Sequence, residues 1–558
     1  MEDRRSNHIM WIYWSMGMLG VLMFLLIMPW NIFETFRQTP ESSDESSLSH
    51  RKRWIPISIE LDPNYTSTLL SQLPMKVGDY EPTAAYQSYC ERTLTTNISI
   101  LRFDDKNPVK LVAGEVHEFV IFTLDENGRR RCSGGDYFEL DLSSKNWKSR
   151  PPIKDHGNGL YSFYLQIHED FAGPFVFTIQ LLFRSFQGFR FQFGGLAYKE
   201  RLRRVPIIFY RPVSSSIPSS SLPNVPLCRS NDFRRYAWTG RWTRHVWDSK
   251  CDVSVIDGRY RCIDSNASCE NPWCQGQVGL LESNGWVYSA HCSFHIYTQD
   301  QAWKCLHRKM LFFWGDSNHV DTIRNLMSFI LGHSEWNHQY LDRKVHKKKV
   351  YNPKNSSEFV TITNVFNGHW NISDNFLGQR SLLDDKYRNH VRSYFIGNDT
   401  PDVFIMNSGL HDGGFHRNVS SFVGAVEYTV GFWKSVFRGL REEGRELPMS
   451  LYRTTVATAG NTSMGSMNPQ KMEGFNSITV EKMIGEGFFD EFGFGLVDDF
   501  DMTFPWHYDY RLTDGLHYGR PPRNETWFDG KIGHKYFADL MLIHVLLNSI
   551  CHDQPQQW

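Results

Sequence analysis

The sequence lacks an excess of charge of either sign. Its 558 residues include 60 Lys and Arg against 61 Asp and Glu, which leaves a net charge of −1. The basic side chains also form no long stripe along the chain. Proteins that bind nucleic acid need clustered cations to neutralise phosphates. The composition therefore excludes DNA or RNA binding, and we expect no nucleic-acid partner.

The sequence also lacks the C-x2-C pairs that are typical of structural zinc sites. Seven of its ten cysteines nevertheless fall within a short part of the chain. They are Cys228, Cys251, Cys262, Cys269, Cys274, Cys292 and Cys305. This density is typical of disulfides formed in an oxidising compartment. Zinc is the alternative interpretation of the cluster, but without a C-x2-C pair we favour disulfides and expect no metal.

Charge is absent from residues 9–33, a run of 25 mostly apolar residues. A helix needs about 20 such residues to cross the hydrocarbon core of a membrane. Arg4 and Arg5 precede the run, and no small-residue cleavage site follows it. We therefore expect a transmembrane signal anchor at 9–33 after a cytoplasmic tail at 1–8, so that one helix ties the protein to a membrane.

Nine N-x-S/T sequons occur in the sequence, where chance predicts about four. Their asparagines are Asn64, Asn97, Asn266, Asn355, Asn371, Asn398, Asn418, Asn461 and Asn524. The charges that flank the anchor give no clear orientation. The sequons and the clustered cysteines favour a single-pass type II protein whose body lies in the lumen of the Golgi or the ER. A cytosolic body is the competing topology, and it would leave the sequons unused and the cysteines reduced.

Composition divides the rest of the chain into four segments. Residues 34–94 are polar with little periodicity, which indicates a stem. Residues 95–212 contain short alternating apolar runs separated by Gly, Asn and Asp turns, and this pattern predicts an all-β antiparallel sandwich. Residues 213–226 are rich in Ser and Pro and predict a linker. The last segment, 227–558, begins with the cysteine-rich stretch 228–305.

The last segment changes to strands that alternate with helices. Residues 310–314 form a continuous apolar run, which favours a strand buried on both faces of a parallel sheet. Apolar patterns predict further strands at 359–366, 402–406, 450–453 and 496–497, and helices at 422–443, 478–489 and 532–550. This alternation predicts an α/β fold with a doubly wound parallel sheet, closed by the last helix.

Ser317 follows Gly315 and Asp316 at the turn between the first buried strand and its helix. Active sites of open α/β sheets lie at this edge. Asp514 and His517 form a D-x-x-H motif, which lets one loop present an imidazole and a carboxylate that orients it. A serine hydroxyl needs such a base to become a nucleophile. The two motifs together predict a catalytic triad, although each alone also fits an N-cap serine or a turn histidine.

These motifs resemble the SGNH/GDSL hydrolase superfamily, specifically its PC-esterase branch. That branch includes the plant trichome-birefringence-like polysaccharide O-acetyltransferases and the catalytic domain of the animal sialate O-acetyltransferase. Residues 155–161 and 172–175 resemble the D-x-x-N-G-x-Y and A-G-P motifs of filamin-type immunoglobulin-like repeats. The anchor, the β-domain and the C-terminal domain together resemble the NXPE family (neurexophilin and PC-esterase domain). The resemblance implies an SGNH-type catalytic domain at 227–558 behind a filamin-like sandwich.

The resemblance implies Ser317 as the nucleophile, His517 as the general base and Asp514 as the carboxylate that orients it. It also implies acyl transfer or acyl-ester hydrolysis on carbohydrate, chiefly of O-acetyl groups. We therefore expect a membrane-anchored O-acyltransferase with no bound cofactor, a glycan or glycoprotein acceptor, and acetyl-CoA or another acyl donor as co-substrate. A glycan O-acetyl esterase fits the same triad, and a non-catalytic binding protein of the secretory pathway is the alternative from a different class.

The oxyanion hole of the superfamily combines the backbone N–H of the nucleophile with a glycine and an asparagine. The resemblance implies Ser317, Gly368 and Asn407 for these roles. Asn407 is followed by Gly409 and His411, which resembles the family's N-x-G-H block. The surroundings of Gly368 depart from the usual glycine block, and a turn asparagine in a left-handed conformation is the alternative for Asn407.

Several neighbours of these residues are further candidates for the active site. They are Gly315, Asp316, Gly409 and His411. The alternatives for His411 and Asp412 are a substitute general base with its carboxylate, or contact with the substrate, and we rank both below the D-x-x-H pair. His319 is expected to point along the helix that follows the nucleophile, at the rim of the site or on the helix surface.

Two expectations concern the rest of the last segment. The basic run 343–349 is expected to be a solvated loop, with binding of an acidic glycan or acyl donor as the alternative. Cys551 lies at the end of the last predicted helix. In a doubly wound sheet that helix packs near the first strand, so we expect Cys551 to form a disulfide with a member of the 228–305 cluster.

Overall fold

The computed structural model describes residues 56–73, 93–101, 103, 107–190, 200–211, 225–244, 286–333, 346–368, 377–396, 400–458, 466–507, 515–519 and 536–551. The anchor expected at 9–33 and its tail lie outside these ranges. Within them, no helix is both long enough and apolar enough to cross a membrane.

Two β-sheets pack face to face in the β-domain. Its strands are β1 (Asn97–Ile100), β2 (Val109–Val112), β3 (His117–Leu124), β4 (Tyr137–Ser144), β5 (Trp147–Ser149), β6 (Ile153–Asp155), β7 (Leu160–Leu165), β8 (Gly173–Phe183) and β9 (Glu200–Tyr210). One sheet has the order β1-β3-β7-β6, and the other contains β5-β4-β8-β9-β2. Alternate side chains of these strands point between the sheets, where Phe163 and Phe177 stack with their ring centroids 5.1 Å apart.

The second of these sheets continues with two strands from beyond the predicted linker. They are β10 (Arg241–Arg244) and β11 (Trp286–Ser289), and they extend the sheet to the order β11-β10-β5-β4-β8-β9-β2. β10 pairs antiparallel with β5, so that Trp242 lies opposite Lys148. Segments on both sides of 213–226 therefore build one sheet.

A six-stranded sheet forms the centre of the α/β domain. Its strands are β12 (Met310–Gly315), β13 (His346–Asn352), β14 (Asn355–Phe366), β15 (Val403–Met406), β16 (Met449–Arg453) and β17 (Gly495–Val497). Their order is β13-β14-β12-β15-β16-β17, and every pair except β13–β14 is parallel. The five parallel strands thus follow the doubly wound order 2-1-3-4-5. The predicted α/β fold with a parallel sheet is confirmed.

The helices of the described residues connect and cover these strands. They are α1 (Tyr65–Gln72), α2 (Gln299–Leu306), α3 (Ser317–Asn325), α4 (Asp385–Ser393), α5 (Leu410–Phe415), α6 (Val419–Glu442), α7 (Pro469–Gly485), α8 (Asp499–Thr503) and α9 (Tyr536–Cys551). α1 belongs to the predicted stem, yet it packs against α7. Thr66 near its start is buried, and its backbone N–H donates a hydrogen bond to the Glu481 carboxylate on α7 at 2.6 Å.

The basic run does not form the expected loop over the part that the structure describes. His346–Asn352 is an edge strand, β13, which pairs antiparallel with β14. Lys347, Lys348 and Lys349 are exposed along it. Lysine is well suited to such an edge, because its charge discourages pairing with a strand from another molecule.

Two disulfides of the described residues lie in the last segment, and one of them joins its beginning to its last helix. Cys305 on α2 bonds Cys551 at the end of α9, and Cys228 bonds Cys292. The expected pairing of Cys551 with a member of the cysteine cluster is therefore confirmed.

Polar contacts that are buried or half-buried join the β-domain to the α/β domain. Glu473 on α7 accepts hydrogen bonds from Arg150 and from the Tyr137 hydroxyl, both at 2.6 Å. His507 Nε2 lies 2.9 Å from a carboxylate oxygen of Glu139 on β4. Such directional contacts fix the two domains in one relative position.

Candidate active site

Ser317 lies where β12 ends and α3 begins. Asp316 is the N-cap of α3, and one of its carboxylate oxygens accepts a hydrogen bond from the backbone N–H of Asn318 at 2.9 Å. The cap holds the first turn of the helix in place. Ser317 is therefore presented at the carboxyl edge of the sheet, beside the point where the strand order reverses between β12 and β15.

The structure brings Ser317 and His517 together across 200 residues of sequence. Ser317 Oγ lies 2.6 Å from His517 Nε2. The two residues are only 2% and 9% exposed. Asp514, the third member of the predicted triad, lies outside the described residues. The geometry is that of a serine hydroxyl in hydrogen-bond contact with a base.

Residues that follow His517 hold its segment in position. The Tyr518 hydroxyl donates a hydrogen bond to the carbonyl of Ala457 at 2.7 Å. The carbonyl of Gly519 accepts one from Arg324 on α3 at 2.9 Å. His517 is thus anchored to α3, the same helix that begins with Ser317.

His319 differs from the sequence prediction, because it is fully buried rather than on the helix surface. A Cβ atom on Gly315 would lie 2.1 Å from its Nδ1, and its ring packs against that of Phe313 at 5.5 Å. Gly315 thus leaves the space that the imidazole fills. Burial lowers the pKa of His319 well below its usual value, so the ring stays neutral.

The candidates for the oxyanion hole lie at the ends of the strands that flank β12. Asn367 N–H donates to the carbonyl of Gly315, and Asn407 N–H to that of Trp314, both at 2.9 Å. These bonds place Gly368 and Asn407 at the same edge as the serine. In the described part of the chain, no residue accepts a hydrogen bond from the backbone N–H of Gly368.

The side chain of Asn407 is oriented by its neighbours. Its Nδ2 donates a hydrogen bond to the backbone carbonyl of Arg453 at 3.0 Å. This bond uses one of the two amide hydrogens of Asn407. Asn367 Nδ2 in turn lies 3.0 Å from the carbonyl of Asn407 and 3.1 Å from the Ser408 hydroxyl. Sequence reasoning missed Asn367 and Arg453, although both stand at the end of a predicted strand, the position that signals this edge.

Gly409 and Asp412 shape the loop after Asn407. Gly409 has a φ of +147°, and a Cβ there would lie 2.8 Å from Thr455, so a side chain would be strained and crowded. Asp412 is fully buried and accepts hydrogen bonds from the Ser408 hydroxyl at 2.5 Å and from Gln379 N–H at 2.9 Å. These bonds give Asp412 a structural role.

His411 lies beside this edge without contacting the serine hydroxyl. It is 6% exposed, and its ring centroid is 5.2 Å from that of Phe366. The bond to Ser317 Oγ comes from His517 instead. His411, the general base of the alternative pair with Asp412, is therefore not in hydrogen-bond contact with the Ser317 hydroxyl.

A buried network of charges supports the strand ends. Arg453 bonds Asp499 at 2.8 Å and the Thr322 hydroxyl at 3.0 Å, and that hydroxyl donates to Asp539 at 2.6 Å. Burial alone would lower the pKa of Arg453, but the two carboxylates outweigh it and hold that pKa above its usual value. Burial raises the pKa of Asp316, opposed by the nearby Arg453 charge. The network thus ties the end of β16 to α3 and α9 through buried, paired charges.

One group in the described residues has the spacing of metal ligands, namely Asp232, His291 and Cys292. The Cys292 sulfur is bonded to Cys228, so it cannot act as a thiolate ligand. This group therefore does not form a metal site.

No family model matches the sequence, and no curated protein matches it. Among solved structures, 19 chains match. One is LAE5, an alpha/beta hydrolase enzyme from the metagenome of Lake Arreo, Spain, which is 12% identical. The alignment covers 44% of this chain and 98% of that chain with a TM-score of 0.24. A score of this size carries no argument, so the fold class rests on the sheet itself.

Proposed function

We propose that this protein is a carbohydrate O-acyltransferase that works through an acyl-Ser317 intermediate. The observation that carries the proposal is the 2.6 Å contact between Ser317 Oγ and His517 Nε2 at the carboxyl end of β12. The doubly wound strand order and the position of the serine support an SGNH-type domain of the PC-esterase branch. The β-sandwich before it supports the resemblance to the NXPE family.

The first half of the reaction loads the serine. His517 Nε2 takes the Ser317 hydroxyl proton while Oγ attacks the acyl carbonyl of the donor. The tetrahedral oxyanion then collapses, the bond to the donor's leaving group breaks, and His517 returns the proton to that group. Asp514 is the carboxylate that the family resemblance assigns to orient the imidazole.

The second half transfers the acyl group to the glycan. His517 removes the proton of a sugar hydroxyl, the hydroxyl oxygen attacks the acyl-Ser317 ester, and Oγ leaves with the proton that the imidazole returns. In both halves the oxyanion is stabilised by Ser317 N–H, Gly368 N–H and the second amide hydrogen of Asn407. Loss of one such donor typically costs about 3–4 kcal/mol of transition-state stabilisation.

The resemblance to the O-acetyltransferases of the PC-esterase branch favours transfer over hydrolysis, because the same serine and histidine can run both reactions. A glycan O-acetyl esterase would use the same residues with water as the acceptor.

The proposed location is the Golgi or ER membrane, with the catalytic domain in the lumen. The two disulfides Cys228–Cys292 and Cys305–Cys551 support an oxidising compartment. A single span cannot carry an acyl group across a bilayer. The donor must therefore reach the lumen independently, as imported acetyl-CoA or as a pre-acylated lumenal molecule.

A fluorophosphonate probe followed by peptide mapping tests the proposal. The probe should label Ser317, and Ser317→Ala should abolish labelling and acyl transfer while folding and entry into the secretory pathway stay normal. O-acetylated glycans should decrease in cells that lack the protein and return with the wild-type chain only. A correctly folded protein that resists the probe would favour the non-catalytic binding function, and transfer by Ser317→Ala would overturn the mechanism.

A further inference from the structure

A shallow groove of about 900 Å³ lies on the outer face of the seven-stranded sheet. Its floor comes from alternate residues of β4 and β8, such as Ser143 and Thr178. Their neighbours in sequence, Leu142 and Phe177, point into the sandwich and are buried. The groove shares no lining residue with the candidate active site.

Positive charge dominates the lining of the groove. The lining contains one carboxylate, that of Asp141, and four cationic side chains, those of Lys145, Lys148, Arg201 and Arg204. Four positive charges minus one negative charge give the lining a net charge of +3. Asp141 pairs with Lys148 at 2.9 Å. The whole chain has a net charge of −1, so this concentration of cations is local. Such a patch attracts an anionic ligand.

The remaining polar residues of the lining suit a sugar. The hydroxyls and the amide come from Ser143, Ser144, Thr178 and Gln180. These groups both donate and accept hydrogen bonds, as sugar hydroxyls require. Arginine adds a planar fork of donors that matches carboxylate and sulfate groups.

We infer that the groove binds an acidic oligosaccharide, a sugar chain that carries carboxylate or sulfate groups. The groove holds the part of the acceptor that does not react. This inference rests on the proposed function, because it takes the ligand to be the acceptor of acyl transfer.

Other anionic partners fit the groove less well. Phe175, the aromatic residue of the lining, is 3% exposed, so it offers no ring on which a nucleic-acid base could stack. The apolar lining residues that are not fully buried are Pro174 and Val176, and neither is a large Trp, Phe or Leu side chain of the kind with which proteins enter a membrane surface. The combination of cations with hydroxyl and amide groups favours a sugar.

The groove is fixed relative to the α/β domain. Lys148 Nζ lies 5.4 Å from the ring centroid of Trp506, which follows α8. The bond from Arg150 to Glu473 also joins the two domains close to this strand. A glycan held in the groove therefore stays at high effective concentration near the catalytic domain.

Titration of the full-length Ser317→Ala protein in detergent tests the inference without turnover. The probes are a sulfated tetrasaccharide, a uronic-acid tetrasaccharide and a neutral tetrasaccharide. Arg201→Gln/Arg204→Gln should weaken binding of the acidic probes at least ten-fold and leave the neutral probe unchanged. Lys154→Gln/Lys386→Gln removes two exposed lysines elsewhere, and it should preserve all affinities.

The outcomes separate this inference from the proposed function. Acidic probes that bind both double variants equally overturn the groove as the site. An acidic peptide or anionic vesicles that bind as tightly as the sugars, with the same loss in Arg201→Gln/Arg204→Gln, overturn the assignment to a glycan. Fluorophosphonate labelling of Ser317 is measured in parallel on the wild-type chain. If the wild-type chain is not labelled at Ser317 but the acidic sugars still bind the groove, the catalytic function is rejected and glycan binding by the groove is retained.

Discussion

Arg453 donates two hydrogen bonds to one carboxylate oxygen of Asp499, at 2.9 Å from Nε and 2.8 Å from Nη2. Both side chains are 2% exposed. Arg453 ends β16 and Asp499 begins α8 after β17, so the ion pair ties two neighbouring strand ends together. The backbone carbonyl of Arg453 also accepts the hydrogen bond from Asn407 Nδ2 that orients the Asn407 side chain.

Asp499→Ala should lower the free energy of unfolding by about 3–5 kcal/mol, because it leaves a buried cation without its main partner. Urea denaturation measures this change. The exposed pair of Arg441 and Glu491 provides the control, and Glu491→Ala should cost less than about 1 kcal/mol. Equal losses in the two variants would contradict the assignment of the buried pair as a stabilising contact.

Gly315→Ala should slow fluorophosphonate labelling of Ser317 at least ten-fold. The new Cβ would lie 2.1 Å from His319 Nδ1, so the imidazole and the start of α3 must shift, and Ser317 with them. His319→Ala in the same chain removes the obstruction and should restore most of the rate.

Gly431→Ala is the control for this substitution, because a Cβ there meets nothing within 4 Å. On the exposed side of α6 it should leave labelling unchanged and stabilise the helix by about 0.5–1 kcal/mol. Normal labelling of Gly315→Ala would show that the position tolerates a side chain.

The elements of the α/β domain could be predicted because each carries its own local signal. β12 is a continuous apolar run between turn residues, and α6 shows a long helical period. The serine could be placed at the carboxyl edge for the same reason. These features depend on neighbours in sequence, so no knowledge of distant contacts was needed.

The direction of His319 and the extension of the β-domain sheet could not be predicted in this way. The imidazole turns towards Gly315 because that residue leaves space, which only the packed structure reveals. Pairing of Trp242 with Lys148 joins strands far apart in sequence, and such register is set by nonlocal packing. Asn367 was missed because its side chain donates to the carbonyl of Asn407, a contact that only the packed structure reveals.

Loss of the disulfide between Cys305 and Cys551 should destabilise the protein more than loss of the one between Cys228 and Cys292. The first closes a separation of 246 residues and the second one of 64. The chain-entropy relation gives about 5.5 and about 4.3 kcal/mol for loops of these lengths. Paired Cys→Ser variants compared by thermal unfolding measure the difference. A larger loss from the shorter loop would show that local strain or contacts outweigh loop entropy.

The stability of the α/β domain should fall as pH rises through about 6. Burial raises the pKa of Asp539 to about 6, opposed by Arg453 and by hydrogen bonds from Thr322 and Asn325. Unfolded aspartate titrates near ~3.9, so the folded state binds the proton more tightly. The stabilisation is complete below about pH 4 and is lost as pH rises through the folded pKa. Burial of Asp498 and Asp501 raises their pKa values and adds in the same direction.

Asp539→Asn should flatten this pH dependence, because the amide cannot ionise. The difference between wild type and variant should change by up to about 3 kcal/mol between acidic and neutral pH. Asp385→Asn at an exposed position is the control and should leave the profile unchanged. Parallel profiles for wild type and Asp539→Asn would reject Asp539 as the titrating group.

Glycosidase digestion of the full-length protein from cells should produce a downward shift in mobility. Within the described residues, four sequon asparagines are exposed, as attachment of a glycan requires. They are Asn64, Asn97, Asn355 and Asn418. Changing all four to Gln should reduce the shift, because oligosaccharide is added only to chains that enter the lumen. No shift, together with Cys305 and Cys551 that alkylate without reductant, would place the domain in the cytosol. That result would also remove the need for a lumenal acyl donor, because cytosolic acetyl-CoA would then reach Ser317 directly.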